Sequence, residues 1–288
     1  MSATLEVPAS FRSSAVRPGW FGLLREAYQE VVSRRRLIRY LVQADLKKKG
    51  ANTLLGNLWW VIDPLLQMSV YVILVSFIFQ RGHADYPLFV FAAILPWKWF
   101  RASVRDAISS VTSQDRLIRQ VQFPKIVLPI AAGSSGIANF AFGLIPLAGL
   151  LFIFFPHRAS AYVLLLPAIA VVQFVFTMAV ALFVSAANVF FRDVANVARH
   201  GLRLWFYLSP GLYSVGQVHD IAGEQSWVGV LMGLNPFATL FEAYRAVVYG
   251  ATMPDLRALA ALLAASLALL VVGAWFFKRL EPRFAKVL

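Results

Sequence analysis

An all-α membrane protein with six transmembrane helices is the fold class predicted for this 288-residue chain. Three features predict it: 59% of residues are apolar and only 14% charged, charge-free runs near twenty residues recur, and basic residues collect at the ends of those runs. A helix needs about 20 mostly apolar residues to cross the hydrocarbon, and a mean hydropathy of +0.67 lies outside soluble usage. In a soluble chain the net charge of +13 would suggest nucleic acid. Here the placement of the cations fits loops on the cytoplasmic face instead, so no nucleic-acid partner is expected. The absence of cysteine excludes a disulfide framework, a thiol nucleophile and a cysteine metal site.

The opening residues, with Ser2, Thr4, Glu6 and Pro8, lack the early apolar core of a cleaved signal peptide. Residues 1–19 are expected to be a flexible cytoplasmic N-terminus. Residues 20–49 place Trp20, Leu24, Ala27, Tyr28, Val31, Ile38, Leu41 and Val42 near the rhythm of one helix face, with a break near Ser33. The other face carries Arg25, Arg36 and Arg39 and runs into Lys47, Lys48 and Lys49. This is the pattern of an interfacial amphipathic helix on an anionic inner leaflet, where each nearby basic residue contributes about 1 kcal/mol. The lysines serve either as a membrane anchor or as contacts for the phosphates of a lipid-linked substrate.

Residues 50–288 form the six-span domain, with spans at about 58–79, 86–104, 126–155, 162–190, 202–218 and 258–277. The outer segment 210–253 is apolar but interrupted by Glu224, Asn235, Pro236, Glu242 and Arg245. It reads either as re-entrant short helices beside a cavity or as an amphipathic hairpin. With both termini inside, 22 of the 27 basic residues lie in 1–57, 101–125, 190–203 and 278–288, the last being a cytoplasmic tail. The amphipathic stretch within 105–125 carries both charge signs, as expected of an element that meets a cytoplasmic partner.

Polar residues inside the spans are few: Asp63, Gln67, Lys98, Asn139, Gln173 and Asn188. No carboxylate pair suggests a proton relay. Trp59, Trp60, Tyr71, Trp97, Trp99 and Phe100 gather on the first two spans. They form either the usual interfacial belt or a conduit on which sugar faces slide. No phosphate-binding loop of the form GxxxxGK[ST] occurs, so ATP hydrolysis is not expected of this chain. His83, His157, His200 and His219 lack metal-ligand spacing, and Gly133 to Gly136 reads as a close helix-packing site rather than a setting for a nucleophile at Ser134 or Ser135.

Several short motifs occur in a specific order: Leu54, Leu55, Gly56 and Trp59, Trp60 with Asp63, Pro64, Leu65; Pro96, Trp97 and Phe100; Leu117, Ile118, Phe123, Pro124, Lys125, Leu128 and Pro129; Arg192, Asp193; Ser209, Pro210, Tyr213; Asn235, Pro236; and Arg245. This series resembles the membrane subunits of bacterial ABC transporters that export O-antigens, capsules, teichoic acids and related lipid-linked glycans. Two positions depart from the pattern: Lys47 to Lys49 stand where relatives have Arg-Tyr-Lys, and Lys98 separates Trp97 from Trp99.

The resemblance implies a multi-pass permease of the bacterial cytoplasmic membrane, paired with a second copy of itself and two nucleotide-binding ATPase subunits. Those subunits would carry ATP and Mg, and the chain itself would bind no cofactor or metal and perform no catalysis. The cargo would be a glycan on a polyprenyl diphosphate, drawn to an inner rim of Arg39, Lys47, Lys48, Lys49 and Lys98. Asp115, Arg116, Arg119, Phe123, Lys125, Arg192 and Asp193 would couple to the ATPase. Ser209, Pro210, Tyr213, Asn235, Pro236 and Arg245 would belong to an outer gate. A small-molecule exporter and a membrane-embedded glycan-modifying enzyme are the alternatives.

Overall fold

The computed structural model describes residues 19–51, 55–80, 85–222 and 227–288. The expected flexible N-terminus lies outside them except for Gly19, as do Leu54, Arg81, His83 and Glu224. Every regular element among the described residues is helical.

Helices α1 (Trp20–Ser33) and α2 (Arg35–Gly50) are separated at Arg34, where the Ser33 hydroxyl donates back to the Glu30 carbonyl at 3.2 Å. Ala27 of α1 is buried and Val31 packs beside Phe277 and Phe284, while Phe21 and Tyr28 stay exposed. Four helical stretches are long and apolar enough to cross a membrane: Gly56–Ile78, Val127–Phe154, Ala161–Phe190 and Leu256–Val287. They contain α3 (Trp59–Val72), α6 (Val127–Gly149), α7 (Leu166–Phe190) and α12 (Leu256–Val287). These overlap the first, third, fourth and sixth spans expected from the sequence. The last continues helically through the expected tail and is about 48 Å long.

The second expected span belongs to α4 (Tyr86–Ser110), which runs six residues past Val104. It is long enough to cross but carries Lys98, Arg101, Arg105 and Asp106. The surroundings of α4 account for its composition. Seventeen of its residues are buried, against α3, α6, α7, α8 (Val194–Leu208) and α11 (Pro236–Val248). Two glycines of α6 permit the closest approach. A Cβ at Gly136 would strike Ser103 and the Trp99 ring, and one at Gly143 would strike Leu95. Ser103 Oγ donates to the Gly133 carbonyl at 2.8 Å. From α7, Gln173 donates to the Pro96 carbonyl at 2.8 Å and Asn188 to the Ile108 carbonyl at 3.0 Å. Both buried amides thus pin α7 to the α4 backbone.

The fifth expected span, 202–218, is not one helix. α8 ends at Leu208, Ser209 is extended, and the chain turns through Ser214 before α9 (Val215–Ala222). Pro210 supplies the reason. It lacks the N–H that would continue the ladder, and its ring pushes the preceding residue out of helical geometry. The segment 210–253 then forms α9, α10 (Trp227–Leu234) and α11. The remaining α-helix, α5 (Asp115–Gln120), follows α4 after a short turn.

Candidate functional site

Three groupings of side chains stand out, and the first is a cleft of about 370 Å³ between the end of α2 and helices α3, α4 and α6. Lys98, Arg101 and Arg105 repeat at intervals of three and four along α4, which puts them on one face. Lys49 enters from α2, where its ammonium meets Asp45 at 2.6 Å, Asp106 at 2.7 Å and Ser135 Oγ at 2.9 Å. Burial disfavours that charge, but the Asp106 carboxylate, aided by Asp45, outweighs it and holds the Lys49 pKa above the ordinary lysine value. Lys98 pairs with Asp63 of α3. Arg101 is exposed and forms no ion pair among the described residues, while Arg105 only grazes Asp106 at 3.6 Å.

Of the rim expected from the sequence, Lys49 and Lys98 line the cleft, and both are engaged by carboxylates. Arg39, Lys47 and Lys48 are exposed and do not line it. The sequence reading missed Arg101 and Arg105, although the three-then-four spacing from Lys98 was there to be read.

Trp59, Trp60 and Trp99 form the aromatic part of the wall, with Phe140 4.8 Å from Trp99 between ring centroids. Trp97 and Phe100, expected with them on a conduit, do not line this cleft. They are 1% and 0% exposed, and Trp97 is ringed by Phe237 at 4.7 Å, Phe206 at 5.4 Å and Trp205 at 6.2 Å. Enclosure of α4 by α8 and α11 turns these rings into core. Tyr71 lies away from the cleft, 6.0 Å from Phe206.

The second grouping lies at the end of the bundle where α4 passes into α5. Ile118 is buried and anchors α5, leaving Arg116 and Arg119 exposed, and the Asp115 carboxylate accepts the Arg116 backbone N–H at 2.7 Å. Phe123 packs into the cluster that contains Phe277 and Phe284. The Lys125 backbone N–H donates to Glu281 of α12 at 2.5 Å. Glu281 also meets Lys278 at 2.6 Å, and Lys278 reaches Glu30 at 2.9 Å and Glu26 at 3.2 Å. Burial raises the Glu30 pKa, with the Lys278 hydrogen bond opposing it. Arg192 and Asp193 are exposed in the turn after α7. Asn188, four residues before Arg192, binds the end of α4 and so brings this turn to the same end of the bundle.

The third grouping joins the break after α8 to α11. Arg245, 4% exposed, donates from Nη1 to the Pro210 carbonyl at 2.7 Å and the Tyr213 carbonyl at 3.1 Å. Its Nη2 donates to the Gly211 carbonyl at 2.7 Å and Nε to the Phe89 carbonyl at 3.3 Å, with the guanidinium 3.6 Å above the Phe89 ring. Asn235 caps α11 by accepting from Phe237 N at 3.0 Å, ahead of Pro236 in the first turn. The same side chain donates to Ser209 Oγ at 2.9 Å and accepts from Trp205 Nε1 at 3.2 Å. All six residues expected at an outer gate therefore meet in one clamp. Nearby, Asp85 binds Arg158 at 2.7 Å and His157 at 3.1 Å. The His157 hydrogen bond, and then Arg158, hold the Asp85 carboxyl below its ordinary value despite burial.

Among the described residues no group of histidine and carboxylate side chains could hold a metal ion. The O-antigen export system permease protein RfbA of Myxococcus xanthus is 33% identical over 264 residues, covering 92% of this chain and 98% of that protein. Two proteins of the same description from Klebsiella pneumoniae are 27% and 25% identical, each covering 88% of this chain and 95% of the relative. Residues 36–249, which include the cleft, the α5 segment and the clamp, match the ABC-2 type transporter family, and the chain belongs to that family.

Proposed function

We propose that this chain is the membrane-spanning subunit of an ATP-driven exporter that moves a lipid-linked polysaccharide across the bacterial cytoplasmic membrane. Two copies would enclose the path and two separate ATPase subunits would drive it. Both termini are cytoplasmic in this reading. α3, α4, α6, α7 and α12 cross fully, and α8 makes the fifth crossing only as far as Ser209. The short helices α9 to α11 re-enter from the outside and complete it, with the Arg245 clamp holding the outer mouth.

The observation that carries the proposal is the cleft, where cations and indole rings share one wall in a chain so similar to O-antigen export permeases. A polyprenyl diphosphate brings an anion on a lipid tail, and the tail can stay in the bilayer beside the exposed apolar face of α3, which presents Leu66 and Val70. Arg101 and Arg105 are the cations with most charge to spare for such an anion, since carboxylates already engage Lys49 and Lys98. At the cytoplasmic end, Arg116 and Arg119 on α5 and the Arg192 and Asp193 turn offer exposed charges of both signs to the ATPase. This chain supplies path and coupling, and bond-making stays with other subunits.

The test is deletion of the gene in its native host, with complementation by variants. Loss of surface glycan and accumulation of lipid-linked glycan inside are expected for the deletion and for the Arg101→Ala, Arg105→Ala double variant. The double variant Arg116→Glu, Arg119→Glu should in addition lose the ATPase on purification in mild detergent. A deletion strain with normal surface glycan and no intracellular glycan refutes the proposal.

A further inference from the structure

The cleft contains more than charge. Trp99 is 2% exposed and lines it, yet its Nε1–H has no hydrogen-bond partner among the described residues. Asn139 lines the same cleft, and its Oδ1 is buried and likewise unpartnered among the described residues. An orphaned buried donor or acceptor is destabilising, so one of each on residues that line a single cavity calls for an occupant. Gly136 keeps the two close. Its position would place a Cβ 3.3 Å from Trp99 Nε1, and Asn139 follows three residues later on the same face of α6.

The chemistry of the pair narrows the occupant. An ionised phosphate only accepts, so it cannot satisfy Asn139 Oδ1, and an acyl chain satisfies neither atom. A sugar hydroxyl both donates and accepts, and the flat apolar walls of Trp60 and Phe140 suit the C–H face of a pyranose ring. From Trp99 to Arg105 the α4 backbone rises about 9 Å, so the aromatic end and the cationic end lie one sugar diphosphate apart. A volume of about 370 Å³ accommodates both parts.

We propose that this cleft is a sugar subsite: it holds the first sugar of the lipid-linked glycan, with Trp99 Nε1–H and Asn139 Oδ1 reading its hydroxyl or acetamido groups beside a diphosphate at Arg101 and Arg105. The subsite rests on the export reading and deepens it, because it makes the transporter responsive to the sugar as well as to the lipid anion.

The test uses the full transporter with its ATPase in nanodiscs, titrated with undecaprenyl diphosphate and with the same lipid bearing one hexose or one N-acetylhexosamine. The unmodified protein should reach half-maximal ATPase stimulation at a lower concentration of a sugar-bearing lipid than of the bare one. Trp99→Phe, which keeps a ring and deletes the N–H, should cut the ratio of those two concentrations about tenfold. Asn139→Leu should do the same, and if that variant fails to assemble, Trp99→Phe alone decides. An unchanged ratio in Trp99→Phe overturns the subsite, as does a lack of sugar preference in the unmodified protein while bare lipid still stimulates. Absence of any response to all three lipids instead overturns the export reading and the subsite with it.

Discussion

Replacing Arg245 should release the turn between α8 and α9. Its guanidinium holds four backbone carbonyls, three of them in residues 210–213, and among the described residues no other side chain donates to the Pro210 or Gly211 carbonyl. At about 1 kcal/mol net for each bond the clamp is worth roughly 4 kcal/mol. Methionine relieves the cost of burying a charge, which lowers the expected loss to about 3 kcal/mol. Lysine has three donors but no planar fork, so it should keep about half the bonds and lose about 2 kcal/mol. Hydrogen–deuterium exchange of the amides at 211–215 reads this directly, because opening of the turn exposes them. At 1.4 kcal/mol per tenfold, Arg245→Met should speed their exchange by about a hundredfold and Arg245→Lys by about thirtyfold. Exchange in Arg245→Met as slow as in the unmodified protein would refute the reasoning and assign the rigidity of the turn to Pro210 and the Asn235 contacts.

Two further outcomes follow from the ion pairs. Lys278→Met leaves Glu26, Glu30 and Glu281 facing one another without their cation, and should lower stability by about 3 to 5 kcal/mol in thermal unfolding of the detergent-purified protein, with partial rescue by Glu281→Gln in the double variant. Asp85 has a folded pKa below its unfolded value near 3.8. Its contribution is therefore full above that value and is lost as pH falls through the folded one. The melting-temperature gap between the unmodified protein and Asp85→Asn should be present above about pH 4 and narrow as pH falls further; a gap that does not narrow at all below about pH 4 counts against the ion pair as its source.

Four long helices were legible in the sequence because each is a charge-free apolar run, which needs no knowledge of neighbours. The break after Leu208 was not, since the run continues on both sides of it and hydropathy is blind to a missing N–H at Pro210. Trp97 and Trp99 show a second limit. They sit two residues apart on α4, so they point to different sides of one helix, and the chain alone does not tell which side meets a cavity and which meets the core. The partners of Arg245 lie 32 to 156 residues away, and only the fold brings them together. The cationic face of Lys98, Arg101 and Arg105 is readable from spacing alone.

The enclosure of α4 has a consequence for biogenesis. In the arrangement proposed above, α4 enters the bilayer with Lys98, Arg101 and two prolines and so with a weak insertion signal, because a charge near the middle of a lone helix costs about 2.5 to 3.5 kcal/mol on translocon scales. The partners that cover α4 on its other faces, α6, α7, α8 and α11, are all synthesised after it. Stable insertion of α4 in that arrangement would wait on later parts of the chain. A nascent chain stalled before α6 holds its most deeply packed helix with only α3 to shield it, and quality-control proteases would meet that segment first.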